Sequence, residues 1–279
     1  APAGVLLFLS LLGLAGGGKL LVVPMDEGHW LSLRSLLVAL SQKGHQIVTV
    51  APEANSSVEA SKYHTVKRYP VPLWREELRA RVRSFGNALF ERKPFPDRIT
   101  AVLEKVYFIS VLYAASCASL LHNKDLMRYL QSSKFDAVLT DPLVPCGQIL
   151  ALHLSVPSVF SLRGLFPCSL DLQVARCSVF PSYIPRTLTD NANHTTFIEH
   201  VENSVLKSID FFLCRVAYLS FEFLASNILH RSVKVKELLS HGSIWLERMD
   251  FGFEYPMPAM PNIFFIEGIN CGTKKPLSQ

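Results

Sequence analysis

Apolar residues come along this chain in two alternating rhythms. Leu20, Leu21, Val22 and Val23 form an unbroken run that stops at Pro24. A short continuous run closed by a breaker predicts a strand covered on both faces. Behind it Trp30, Leu33, Leu36, Leu37 and Leu40 recur at three- and four-residue spacing, and the segment runs out at Lys43-Gly44. That ending, a cation in the last turn before a glycine, predicts a helix with a C-cap. Gln46 to Ala51 is a second, β-branched run. Strand, helix and strand in so short a stretch predict a βαβ unit with parallel strands and a right-handed crossover.

The same alternation continues downstream. Tyr63 to Val71 predicts a strand, Trp74 to Phe90 and Arg98 to His122 predict helices, and Lys124 to Gln131 a short one. Phe135 to Thr140 predicts a strand entering Asp141-Pro142, Gly147 to Leu154 a helix, and Pro157 to Leu162 the next strand. Thr196 to Leu229 has helical spacing and is rich in Phe, while Ser243 to Leu246 and Ile263 to Ile266 predict two more strands. The class this implies is α/β, a Rossmann-like doubly wound parallel sheet with helices on both faces.

Composition narrows the function classes. The chain has 279 residues, 49% of them hydrophobic, enough for one substantial core. Its net charge of +5 is spread out, and the densest basic stretch, Arg75 to Lys93, is interleaved with Glu76, Glu77 and Glu91 as on a solvated helix. No nucleic-acid partner is expected. Val5 to Leu14 is an apolar run followed by Ala15, Gly16 and Gly17, so residues 1–17 have the form of a signal peptide and residues 18–279 are expected to make one domain. Two sequons, at Asn55 and Asn193, make those asparagines candidate glycosylation sites in a secretory compartment. The cysteines at 117, 146, 168, 177, 214 and 271 are too widely spaced for a zinc site, and no metal is expected. Their pairing stays open: Cys168 and Cys177 are the nearest local pair, and unlinked buried thiols fit equally well.

In a doubly wound sheet the chemistry belongs in the loops after the strands. Two stand out, Met25 to Trp30 after the first strand and Thr140 to Pro145 after the strand ending at Thr140. Each has an ordinary explanation. His29 at a helix start reads as a surface or capping residue, and Asp141 before Pro142 as an N-cap with proline at the first helical position. Neighbouring parallel strands, however, would bring this imidazole and this carboxylate within hydrogen-bond reach. Neither G-x-G-x-x-G nor G-x-S-x-G occurs, which disfavours a dinucleotide site and a serine hydrolase.

Several stretches in order carry a family resemblance: Leu21 to Ser32, with Asp26-Glu27-Gly28-His29-Trp30; Tyr69-Pro70-Val71-Pro72; Leu121-His122-Asn123-Lys124; Phe135 to Pro142; and Gly268-Ile269-Asn270-Cys271 with Lys275 to Gln279. From about Gly18 to Gln279 the chain resembles the N-terminal, acceptor-binding half of animal UDP-glucuronosyltransferases of the first family, nearest to the bilirubin-conjugating type. The resemblance implies a GT-B glycosyltransferase, an inverting detoxification enzyme. Such an enzyme moves glucuronate from UDP-glucuronate to hydroxyl or carboxyl groups of small lipophilic acceptors such as phenols, steroids and tetrapyrroles. It assigns His29 as the general base and Asp141 as its partner carboxylate, with no cofactor besides the co-substrate. Trp30, Arg163 and Phe166 are the candidate acceptor-binding residues.

The resemblance also implies what lies outside this sequence: a donor-binding domain and a membrane span, so this chain alone is expected to be inactive. Implied with it are the luminal side of the endoplasmic reticulum, membrane anchorage of the longer form, and homo- or hetero-oligomers with related transferases. The alternative is a non-catalytic binder of lipophilic ligands that pairs with full-length enzymes. Two departures from the family pattern bear on the site. Gly28 and Glu27 stand where members carry Gly-Ser, and a carboxylate at Glu27 aimed at the imidazole would raise the pKa of His29. The loop around Arg163 is one residue longer than in close relatives.

Overall fold

A run as apolar as Leu20 to Val23 is stable as a strand where neighbours hydrogen-bond both its edges and helices cover both its faces. In the computed structural model, which describes residues 17–25, 27–71, 75–91, 94–163, 170–174, 196–249 and 260–266, this is the environment of β1 (Lys19–Val23). It lies in the middle of a seven-stranded sheet. The other strands are β2 (Gln46–Pro52), β3 (Thr65–Tyr69), β4 (Ala137–Thr140), β5 (Ser158–Leu162), β6 (Gly242–Glu247) and β7 (Ile263–Phe265). All pairings are parallel and the order is β3-β2-β1-β4-β5-β6-β7. The expected doubly wound sheet is therefore the one found.

That order contains a reversal of direction. The chain builds outward from β1 to β2 and β3, then returns to the other side of β1 as β4, so β1 and β4 flank the topological switch point. Ligand crevices in open α/β sheets open there, beyond the carboxyl ends of the strands.

Helices cover the two faces unequally. Helix α1 (Glu27–Gln42) covers one, and its Trp30, Leu33 and Leu37 bury against Val22, Ile47 and Ala51. The opposite face carries the larger core, to which Leu21, Val23, Val48 and Val50 point. The alternation of Leu21, Val22 and Val23 between the two clusters is the two-residue period of a strand. Over the larger core lie α3 (Phe95–Leu121), α4 (Lys124–Ser132), α5 (Cys146–Leu154), α7 (Phe197–Ile228) and α8 (Val235–Ser240), with α2 (Arg75–Phe90) packed on α3. A single turn, α6 (Leu170–Val174), follows β5.

Local chemistry sets several ends. Gly44 adopts φ +90°, the left-handed conformation that ends α1 as its Lys-Gly signature predicts. Asn123 caps α4 by accepting from the Leu126 amide at 3.1 Å. Helix α3 begins three residues before the predicted Arg98, behind Pro94 and with a proline in its first turn, where no amide hydrogen is needed. Its Ile99–Leu121 stretch is long and apolar enough to cross a membrane, but it packs between α2 and α7 and carries Tyr113, Cys117 and Leu120 into the core.

A disulfide joins Cys117, near the end of α3, to Cys146, the first residue of α5, with Cα atoms 5.5 Å apart. Cys168, Cys177 and the closing Gly268 to Gln279 motif lie outside the described residues, as does the segment 1–16 of the proposed signal peptide.

Candidate active site

The two loops singled out by position meet at the switch point. Their strands are tied first: the Thr140 hydroxyl donates to the Val23 carbonyl at 3.0 Å, fixing the last residue of β4 against the last residue of β1. Beyond Thr140 the chain does not enter a helix at once. Helix α5 starts at Cys146, so Asp141 is not its N-cap, contrary to the ordinary reading of Asp-Pro. Instead Asp141 folds over its own turn, Oδ1 accepting from the Leu143 amide at 2.8 Å.

This turn aims the second carboxylate oxygen at helix α1. Asp141 Oδ2 lies 3.0 Å from His29 Nε2, with the Asp141 side chain 1% exposed and that of His29 13% exposed. The spacing is that of a hydrogen bond but the direction is not aligned. A carboxylate beside an imidazole nitrogen favours the tautomer with its proton on that nitrogen and stabilises the imidazolium.

A third residue at this place was not singled out from sequence. Tyr218, buried on α7, has its phenol pKa pushed up first by burial and then by the negative charge of Asp141. Its neighbour Ala217 accepts, through its carbonyl, a hydrogen bond from the Ser110 hydroxyl of α3, which ties the two helices together. Only the phenylalanine content of this helix stands out in the sequence, and the core role it suggests holds for Phe221 but not for Phe197, Phe211, Phe212 and Phe223, which are exposed.

The remaining candidates are placed less alike. Trp30 is 2% exposed and packs into the smaller core, its ring edge-on to His64 at 5.1 Å between centroids. Arg163 is exposed just past β5, the strand next to β4. Asn55 is turned inward, 8% exposed, with Oδ1 accepting from the Ser57 amide at 3.2 Å. Phe166 and Asn193 lie outside the described residues, as do Asp26 and the side chain of Glu27. Among the described residues no three His, Cys, Asp or Glu side chains gather closely enough to hold a metal ion.

With this geometry in view, residues 18–279 match the family described as UDP-glucoronosyl and UDP-glucosyl transferase. The chain is 45% identical over 262 residues to UDP-glucuronosyltransferase 1A1 of Rattus norvegicus, covering 94% of this chain and 49% of that protein. It is 42% identical over 275 residues to UDP-glucuronosyltransferase 1A1 of Homo sapiens, covering 98% and 51%. The chain spans about half the length of the curated relatives it matches. Among solved structures, a UDP-glucosyltransferase from Polygonum tinctorium shares a TM-score of 0.48 at 13% identity, over 95% of this chain and 56% of that one.

Proposed function

Given that the chain belongs to the UDP-glucoronosyl and UDP-glucosyl transferase family, we propose that it is the acceptor-binding half of an inverting UDP-glucuronosyltransferase in which His29 is the general base. The observation that carries this reading is the 3.0 Å approach of His29 Nε2 to Asp141 Oδ2 at the switch point between β1 and β4.

The chemistry follows from what a hydroxyl acceptor lacks. At neutral pH it is a poor nucleophile, and a positioned imidazole removes its proton as the oxygen bonds to the anomeric carbon. The bond from that carbon to the UDP oxygen breaks on the opposite face, so an α-linked donor gives a β-glucuronide and UDP. With Nε2 the ring nitrogen nearest Asp141, Nδ1 is the nitrogen that takes the acceptor proton, and the carboxylate stabilises the imidazolium that results. An acceptor carboxylic acid is already ionised and needs only placement.

The acceptor is a small lipophilic molecule, and Arg163, exposed just past the end of β5, is its candidate polar contact. The donor is UDP-glucuronate, held by the second half of the longer protein. The Cys117–Cys146 disulfide fits an oxidising compartment, which supports the lumen of the endoplasmic reticulum as its place.

The test is transfer from UDP-glucuronate to a phenol by this chain joined to the donor half of a relative. His29→Ala is expected to lower kcat by about 10²–10⁴-fold. Unchanged kcat would sink the assignment, and with retained acceptor binding it would favour the non-catalytic binder.

A further inference from the structure

The turn between β4 and α5 is five residues long, and both its ends are fastened. At one end Thr140 is bonded to β1. At the other, Cys146 is covalently bound to Cys117 of α3. Within it the backbone has little slack: Leu143 donates to Asp141 Oδ1 at 2.8 Å, Cys146 donates to the Val144 carbonyl at 2.7 Å, and Ile149 donates to the Pro145 carbonyl at 3.0 Å.

We propose that the Cys117–Cys146 disulfide is a positioning device for the catalytic carboxylate, holding the Asp141–Pro145 turn so that Asp141 Oδ2 stays against His29. This rests on the assignment of His29 and Asp141 given above.

Two unlinked thiols would fill nearly the same buried space, since Cys117 is 1% and Cys146 5% exposed. The covalent bond adds a fixed separation between the start of α5 and the end of α3. It lies where that separation matters, because the carboxylate is oriented by an amide of its own turn, and that turn has no regular structure until Cys146. If α5 shifts along its axis, the Leu143 amide moves, Oδ1 follows it, and Oδ2 rotates away from the imidazole. Steric support is one-sided: a Cβ at Gly147 would lie 2.2 Å from Thr140 Oγ1, so the helix start already rests on the strand end and can move only outward. The disulfide closes that direction.

The test uses the whole chain and two readouts that a merely stabilising bond would not move selectively. One is amide hydrogen exchange at Leu143, compared with Leu21 and Val48 in the sheet. The other is the ¹⁵N signature of the His29 ring, which reports its tautomer. In a Cys117→Ala, Cys146→Ala double variant, Leu143 is expected to exchange at least tenfold faster while Leu21 and Val48 keep their rates. The His29 ring is expected to change from one dominant tautomer to a mixture.

Pro145→Gly, which keeps the disulfide but slackens its link to Asp141, is expected to give the same two changes with both cysteines still joined. Unchanged Leu143 exchange and an unchanged tautomer in either variant overturn the proposal. So does equal acceleration of all three amides, which would make the bond a global stabiliser only. Neither readout involves transfer, so full activity of His29→Ala would remove the base assignment and leave this result standing.

Discussion

The hydroxyl of Thr140 reaches the carbonyl of Val23 at 3.0 Å, and this side-chain bond closes the crevice floor where backbone pairing between β1 and β4 ends. Both partners are buried, so the carbonyl has no water to replace the lost donor. Thr140→Val keeps the shape and removes the hydroxyl, and is expected to cost about 1–3 kcal/mol. The urea midpoint measures it; a midpoint equal to that of the parent chain would show that the bond contributes nothing.

Gly147 faces the same threonine from the other side. A methyl group at this position would overlap Thr140 Oγ1 and Cβ at 2.2 and 2.4 Å, so Gly147→Ala must displace either the strand end or the start of α5. The expected loss is about 1–3 kcal/mol, in the range of overpacked cores. Thr140→Ala, which removes the Oγ1 atom that the added methyl would meet first, is expected to recover part of it in the double variant. Strict additivity of the two changes would contradict direct contact.

His64 gives the fold a dependence on acid. Burial, the largest influence, holds its imidazole below the ordinary value of 6.5; a backbone hydrogen bond involving Glu59 opposes this and the charge of Arg34 adds to it. The folded chain therefore prefers the neutral ring, and the unfolded chain takes up the proton first as pH falls. This contribution to stability is complete above pH 6.5 and is lost as pH drops through the lower folded value. Urea midpoints should accordingly fall from pH 7.5 to 5.5, and His64→Gln should flatten that slope. An identical slope in the variant would assign the dependence to other groups.

Trp30 separates core from pocket by experiment. With its ring 2% exposed against His64 and Leu33, Trp30→Ala is expected to cost about 3–5 kcal/mol of stability. A wall residue of an open acceptor pocket would instead change acceptor KM with little effect on thermal unfolding.

Much of this architecture was legible because its rhythm is strong. The run from Leu20 to Val23 and the spacing of Trp30, Leu33 and Leu37 each permit one local structure, and Gly44 marks where the first helix ends. Helices α6 and α8 were not legible, being five and six residues long, too short for a helical period to repeat. His29 and Asp141 were legible as loop positions after strands, but Asp141-Pro142 signals an N-cap just as well. Only the three-dimensional path, with α5 delayed to Cys146, separates the two readings. Tyr218 was invisible because proximity to Asp141 comes from the packing of α7, which no local pattern encodes.

The return of the chain to pair β4 with β1 makes His29 and Asp141 neighbours through one of the least local contacts in the molecule. Contacts that close long loops form slowly, so this pair would assemble late in folding. A slip of one residue between the two strands would send the Asp141 side chain to the opposite face of the sheet. The His29–Asp141 pair thereby doubles as a register check: a chain that folds with its central strands out of step would still be compact, but would hold the two side chains apart.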